Sequence, residues 1–382
     1  GWRGGKGVRA VSADRLKTAK RVGIKLGSAL LVDEAHGAVH RKWLEALAED
    51  IAEMKARGQD VILVSSGAIA VGRRYLGLAA GPLKLDEKQA AAATGQIRLA
   101  HAYQEVLGHH DITVAQVLLT LDDTESRRRY LNARNTLGAI LRLGAVPLIN
   151  ENDTVATDEI RFGDNDRLAA RVAAMASADV LVLLSDVDGL YTANPSADDS
   201  AEHIGEVDAV TPEIEAMAGG VASAVGSGGM ITKLAAAKIC LQNGCAMAIT
   251  MGEGDRPLKR LLDGARATWF RPSLTPASAR KGWIAGSLQP CGKVILDDGA
   301  LSALKAGKSL LPIGVTAVEG DFDKGDAVVI EDKNGVELAR GLSAYSSDDA
   351  QKIIGRKSSE FEGLLGFRGR DELVHRDDMA LS

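Results

Sequence analysis

The sequence predicts an α/β fold: a three-layer sandwich around a mainly parallel sheet, followed by a small β-rich domain at the C-terminal end. Two observations predict the sandwich. The strand candidates are continuous apolar runs without polar alternation, such as 180–184, as expected of strands buried on both faces. They alternate with amphipathic helical stretches, the order of parallel strands joined by crossover helices. A third observation marks the second domain. After 275–289 the pattern changes to short β segments punctuated by Gly320-Asp321 and Gly325-Asp326.

The elements follow in order. Residues 22–26 are a short apolar strand. Residues 41–57 read as a helix because Leu44, Leu47, Ile51 and Met54 recur every three or four positions, with Gly58 where a C-capping glycine belongs. Strand 61–64 runs into Ser65-Ser66-Gly67 and an apolar helix start. A long Ala-rich helix is expected over 86–107, a strand over 112–119, a helix over 131–143 and a strand over 146–149. Helix 164–176 precedes strand 179–184, and helix 229–242 precedes strand 246–251. Beyond the change of pattern, 293–296, 310–313, 316–318 and 327–331 read as β and 299–305 as a helix. The division expected is a disordered extension over 1–14, a first domain over 15–274, a linker over 275–290, and a second domain with its tail over 291–382.

Composition narrows the function. Hydrophobic residues at 46% and charged residues at 25% suit a globular enzyme and not a disordered chain. A formal charge of −5 and only 4% aromatics argue against a broad nucleic-acid-binding surface. The cysteines are Cys240, Cys245 and Cys291, with no CxxC pair. Neither a disulfide framework nor a zinc site is expected, and a reducing, cytoplasmic setting fits. No stretch approaches 18 apolar residues, and the N-terminal residues lack the apolar core of a secretory signal.

In parallel sheets ligands bind beyond the carboxyl ends of the strands, so residues there carry most weight. Four clusters lie at such ends. Lys25-Leu26-Gly27-Ser28 can aim an ammonium and free backbone N–H groups into the crevice. Ser65-Ser66-Gly67-Ala68 opens a helix with small residues, which suits an anion. Asn150-Glu151-Asn152-Asp153 and Asp164-Asn165-Asp166 crowd polar groups at one strand end and one helix start. Ser185-Asp186 begins a run to Tyr191, and Gly226-Ser227-Gly228-Gly229-Met230-Ile231-Thr232-Lys233 is a glycine loop with a lysine in the first helical turn. Each alone also reads as a surface lysine, a serine cap, a solvated loop or a linker. Together they point to phosphoryl transfer, which needs charge neutralisation and alignment more than a reactive side chain. Other motifs fail: Ser302 breaks the P-loop pattern before Gly307-Lys308-Ser309, and no GxGxxG after a strand, HExxH or GxSxG is present. His109-His110 mark a helix end, and Arg127-Arg128-Arg129 a solvated or interface face.

These clusters, in this order, resemble the glutamate 5-kinase family of the amino acid kinase superfamily, from about residue 22 to the C-terminus. Lys308-Ser309-Leu310-Leu311-Pro312, Gly314 and Gly320-Asp321-Phe322 are similar to the PUA domain appended to many of those enzymes. The resemblance implies an amino acid kinase catalytic domain over 15–274 that moves the γ-phosphoryl group of ATP to the γ-carboxylate of L-glutamate, the first step of proline synthesis. It implies that Lys25 and Lys233 neutralise the transferring group and that Asp166 orients them. Ser185, Asp186, Ser227, Gly228, Gly229, Met230, Ile231, Thr232 and the same two lysines would hold ATP. Ser66, Asn150, Asp153 and Asn165 would hold glutamate. Mg²⁺ would ride on the nucleotide phosphates without a dedicated protein site. No general base is required, since the acceptor carboxylate is ionised at pH 7. The resemblance further implies feedback by proline, a homo-oligomer (dimer or tetramer), a hand-off to glutamyl-phosphate reductase, and no membrane partner. The chain departs from the family at Ser28-Ala29, where Thr-Ser is common, and at Ser185-Asp186-Val187, where Thr-Asp-Gln is common. Two rival readings are another member of the superfamily acting on acetylglutamate, carbamate or UMP, and an RNA-binding protein using the PUA-like domain. The PUA-like tail and the run Ser66-Gly67-Ala68-Ile69-Ala70 stand against the first. The second is opposed by residues 292–370, which hold eleven Lys/Arg against thirteen Asp/Glu.

Overall fold

The computed structural model describes residues 14–33, 35–157, 165–196, 198–219, 229–286 and 289–382. They divide into two compact units. The first takes the described residues up to Glu125 and from Asn132 to Pro276; the second takes Ser126–Leu131 and Ala277–Ser382.

The first unit is built on eight strands: β1 (Arg21–Leu26), β2 (Asp60–Val64), β3 (Val114–Leu119), β4 (Val146–Glu151), β5 (Val180–Ser185), β6 (Glu206–Val207), β7 (Ala246–Met251) and β8 (Ala267–Phe270). Their order is β6-β8-β7-β5-β1-β2-β4-β3, and among the described residues every neighbouring pair is parallel except β7 with β8. Among the helices are α1 (Arg41–Ala56), α2 (Ala68–Tyr75), α3 (Leu85–Gly108), α4 (Arg127–Arg142, whose first residues count with the second unit), α5 (Asn165–Met175) and α6 (Met230–Gln242).

Strand β1 shows why the sheet is buried on both faces. Val22, Ile24 and Leu26 join one core cluster with Leu44, Leu47, Ile51 and Met54 of α1 and Leu99, Tyr103 and Val106 of α3. On the opposite face, a Cβ added at Gly23 would meet Leu181 and Ala173, the latter on α5. Helix α6 packs beside α5 on that second face. Alternate residues therefore serve two apolar layers, and the strand reads as an unbroken apolar run.

The register brings the strand ends level. Lys25 lies opposite Val64 and Leu183, and Val64 opposite Ile149. The chain consequently leaves β1, β2, β4 and β5 at one edge, where Gly27, Ser65, Asn152 and Asp186 follow.

The second unit holds β9 (Gly292–Leu296), β10 (Val315–Gly320), β11 (Ala327–Glu331), β12 (Glu337–Leu342) and β13 (Met379–Leu381) in the order β10-β9-β11-β12-β13. Its core includes Val294, Val328, Ile330, Tyr345 and Phe361. Helix α7 (Asp298–Lys305) is capped by Asp297, whose carboxylate accepts from the Ala300 amide at 2.7 Å. Ser126–Leu131 counts with this unit: Leu131 packs with Ala327 and Leu342, and Arg127 pairs with Asp326 at 3.1 Å.

Several expected boundaries move. β3 begins at Val114, two residues inside the predicted strand, and α4 begins at Arg127, four residues before the predicted start. Residues 310–313 form no strand. Leu310 makes an isolated bridge to Val374, and Pro312–Gly314 is a 3₁₀ turn, because Pro312 has no N–H to give to a ladder. Pro276–Gly286, inside the stretch read as a linker, is helical. Among the described residues no helix is long and apolar enough to cross a membrane.

Candidate active site

Lys25 is the next-to-last residue of β1, and Lys233 sits in the first turn of α6. Both reach one carboxylate. Lys25 Nζ lies 2.8 Å from Asp166 Oδ1, and Lys233 Nζ lies 3.3 Å from Asp166 Oδ2. Asp166 is the second residue of α5 and fully buried, while the lysine side chains are 12% and 6% exposed. The Thr232 hydroxyl stands 3.0 Å from Asp166 Oδ2 and 2.8 Å from the Gly229 carbonyl. Burial pushes the Asp166 carboxyl up, but Lys25 and Lys233, with the Lys25 and Thr232 hydrogen bonds, outweigh it and hold the group below its ordinary range. Two cations on one carboxylate leave one net positive charge at the edge of the sheet.

Gly229 is the N-cap of α6 and carries no side chain to cap it, so the first N–H groups of the helix are left to other partners. Ser185 ends β5, and its hydroxyl donates to Asp186 Oδ1 at 3.0 Å. Ser185 is buried while Asp186 is exposed. Met230 and Thr232 are half-buried and Ile231 is exposed. Ser227 and Gly228 lie outside the described residues, as do Gly163 and Asp164.

A second group of polar side chains surrounds Ser65. Its amide donates to the Ile149 carbonyl at 2.8 Å, its own carbonyl accepts from Asn165 Nδ2, and its hydroxyl lies 3.0 Å from the Tyr103 hydroxyl. Asn165 Nδ2 also donates to Asn150 Oδ1 at 3.0 Å, and that oxygen accepts from the Glu151 amide at 2.8 Å. Ser66 Oγ donates to the Leu26 carbonyl at 2.7 Å. Ser66, Asn150 and Asn165 are thus brought together across the ends of β1, β2 and β4. Asp153 is in the turn after β4 and is half-buried. Gly67 adopts φ +90°, and a Cβ there would come within 2.9 Å of Val32.

The arrangement offers fixed positive charge, helix N–H groups and small residues on one side, and amide, hydroxyl and carboxylate groups on the other. That combination suits an anionic group passing between two bound molecules. Sequence reasoning missed Tyr103 and the role of Ser65. Tyr103 is fully buried and its hydroxyl is pushed up by burial, against the hydrogen bond to Ser65. Its signal in the sequence was the one Tyr, with no Phe or Trp beside it, in an Ala-rich helix.

Residues 20–250 match the amino acid kinase family, and residues 292–365 match the PUA domain. The chain is 66% identical over 366 residues to the glutamate 5-kinase of Paramagnetospirillum magneticum, covering 96% of this chain and 99% of that one. It is 61% identical over 358 residues to the glutamate 5-kinase of Rhodospirillum rubrum, covering 94% and 96%. To the glutamate 5-kinase of Dinoroseobacter shibae it is 60% identical over 366 residues, covering 96% and 99%.

Proposed function

The chain belongs to the amino acid kinase family, and from that premise we propose that it transfers the γ-phosphoryl group of ATP to the γ-carboxylate of L-glutamate. The products are L-glutamyl 5-phosphate and ADP, the first step of proline synthesis. The observation that carries this reading is the pair of lysines held on one buried carboxylate, Lys25 at 2.8 Å and Lys233 at 3.3 Å from Asp166. The near full-length likeness to glutamate 5-kinases supports the choice of acceptor.

In this reading a carboxylate oxygen of glutamate attacks the γ-phosphorus as the bond to the β-γ bridging oxygen breaks, and ADP leaves with the electron pair. The acceptor is already ionised, so no proton moves. What opposes reaction is repulsion between two anions, which Lys25 and Lys233 offset as positioned ammonium groups. Asp166 is a positioning residue: ionised at neutral pH, it holds both ammonium groups. Gly229, Met230 and Ile231 at the start of α6 offer backbone N–H groups to the phosphates; Thr232, Ser227 and Gly228 are assigned to the same nucleotide side, and Ser185-Asp186 borders the nucleotide. On the acceptor side, Asn165 Nδ2 is engaged with Ser65 and Asn150, so in this reading its carbonyl oxygen is the atom that meets glutamate. That oxygen and the Asp153 carboxylate suit the α-ammonium of glutamate, with Ser66 and Asn150 alongside.

Mg²⁺ fits as an ion carried by the nucleotide, where it neutralises phosphate charge and keeps several waters. Among the described residues no group of three His, Cys, Asp or Glu could hold a metal, and both Asp166 oxygens face lysines. Proline shares the α-ammonium and α-carboxylate of glutamate and competes for the same groups. Residues 15–274 carry catalysis, and residues 291–382 serve a structural or regulatory role. The family resemblance supports a cytoplasmic homo-oligomer, dimer or tetramer, handing its acyl phosphate to glutamyl-phosphate reductase.

The test is direct. With Mg·ATP, ADP release should depend on glutamate, and hydroxylamine should trap the product as a hydroxamate. Equal ADP release with and without glutamate would overturn the assignment.

A further inference from the structure

The segment after β7 is held to the rest of the first unit by an unusual set of bonds. The Gly252 amide donates to the Ser185 carbonyl at 2.7 Å, extending the β5–β7 ladder one step past Met251 and Ser185. The Gly252 carbonyl accepts from the Trp43 indole of α1 at 2.8 Å. A Cβ on Gly252 would lie 2.3 Å from Leu30 and 3.1 Å from Leu184, so the backbone itself fills the space. Four residues on, Arg256 takes the left-handed conformation, φ +50°, which a non-glycine residue holds only when its surroundings enforce it. The enforcing groups are three carboxylates of α1: Glu49 at 3.0 Å, Asp50 at 2.6 Å and Glu53 at 2.6 Å. Asp50 is 1% exposed, and its second oxygen accepts from the Leu258 amide at 2.9 Å. Burial pushes the Asp50 carboxyl up even against the Arg256 guanidinium, so this clamp is set at a cost that a purely apolar contact would avoid.

We infer that the Trp43, Asp50 and Arg256 clamp positions the nucleotide corner: by fixing residues 252–256 it sets the Ser185 carbonyl, and with it the Ser185–Asp186 peptide that borders ATP. The inference rests on the kinase reading above. Trp43, Asp50 and Arg256 are positioning residues, since each acts through the backbone and touches no reacting atom. The acceptor side is reached from β2, β4 and α5, so the clamp affects nucleotide binding selectively.

The test uses the full chain and three variants: Trp43→Phe, which removes the indole donor and part of the ring while keeping an aromatic side chain; Arg256→Lys, which keeps the charge and loses the fork; and Asp50→Asn, which keeps the shape. Binding of Mg²⁺ with a non-hydrolysable ATP analogue is measured by calorimetry, alongside the KM values for ATP and glutamate and the thermal midpoint. The expected result for Trp43→Phe and Arg256→Lys is nucleotide affinity weakened about three- to tenfold, the size of one lost hydrogen bond, with the glutamate KM unchanged. Asp50→Asn should fall between wild type and Arg256→Lys. If both KM values rise together as the thermal midpoint falls, the clamp is structural only and the inference fails. Unchanged nucleotide affinity in all three variants also overturns it. A wild-type chain that binds no nucleotide overturns the kinase reading and the clamp together, and that outcome is distinct from the other two.

Discussion

Burial drives the Asp166 carboxyl upward while Lys25 and Lys233 pull it down, and the lysines win. A group whose folded value lies below its ordinary 3.8 stabilises the folded state above that value. The stabilisation fades as pH falls from about there through the lower folded value. The stability difference between wild type and Asp166→Asn should accordingly shrink with acid below 3.8, as read by denaturant titration at a series of pH values. A difference constant down to the acid transition would show that the pairs do not control this carboxyl. The same geometry sets a kinetic expectation. Lys233→Met should lower kcat by about 10²–10³, the usual effect of losing one preorganised charge, with little change in glutamate KM. Lys25→Met should behave alike, and the double variant should lose less than the product, since both charges act on one group. Near-normal turnover in either would assign the phosphate apparatus elsewhere. The lysines and Asp166 were legible in the sequence because each lies at a strand end or opens a helix beside small residues. Tyr103 and Asp50 were not singled out. Asp50 does lie on the apolar stripe of α1, three residues after Leu47 and four before Met54, but its partner Arg256 is some two hundred residues away.

At the scale of elements, α2 and α3 cross with almost no side chain between them. A Cβ on Gly72 would lie 1.7 Å from the Ala91 carbonyl oxygen, and one on Gly95 would lie 1.7 Å from the Ala68 carbonyl oxygen. Backbone cannot yield as a flexible side chain can, so one added methyl must force the helices apart. Gly95→Ala should destabilise the fold by about 1–3 kcal/mol or more, measured by urea unfolding. Because α2 continues directly from Ser65-Ser66-Gly67, the same variant should raise the glutamate KM more than the ATP KM. Wild-type stability in Gly95→Ala would mean that the crossing is looser than its geometry states. Helix and strand type were readable for the long periodic stretches, where apolar spacing dominates. The start of α4 was not, because Arg127-Arg128-Arg129 carries no apolar signal. The antiparallel β8 was missed for a different reason: a four-residue apolar run does not reveal its direction.

At the scale of the whole molecule, the break near residue 275 was visible as a change in pattern, whereas the assignment of Ser126–Leu131 to the second unit depends on contacts with Ala327 and Leu342 that sequence distance conceals. Charge decides what that unit can bind. Locally it gathers cations: desolvation, then Arg370 and Arg128, push the Lys324 ammonium down. Taken alone, such a cluster invites a phosphate backbone. Each neutralised phosphate on a single strand adds about 0.7 to the salt slope, so three contacts give only a shallow one, and the affinity they supply is largely lost at physiological salt. Against them stand two excess acidic residues over 292–370 and a net charge of −5 for the chain, which repel the rest of any polyanion. Repulsion should win. The full chain titrated against a labelled RNA of mixed sequence, read by fluorescence anisotropy at about 150 mM salt, should bind more weakly than about 10⁻⁴ M, the weak limit of ordinary non-specific binding. Lowering the salt should strengthen binding only modestly, in proportion to those few contacts. A micromolar Kd with a steep salt slope would show that the cluster overrides the acidic surface, and would make RNA a partner of the second unit.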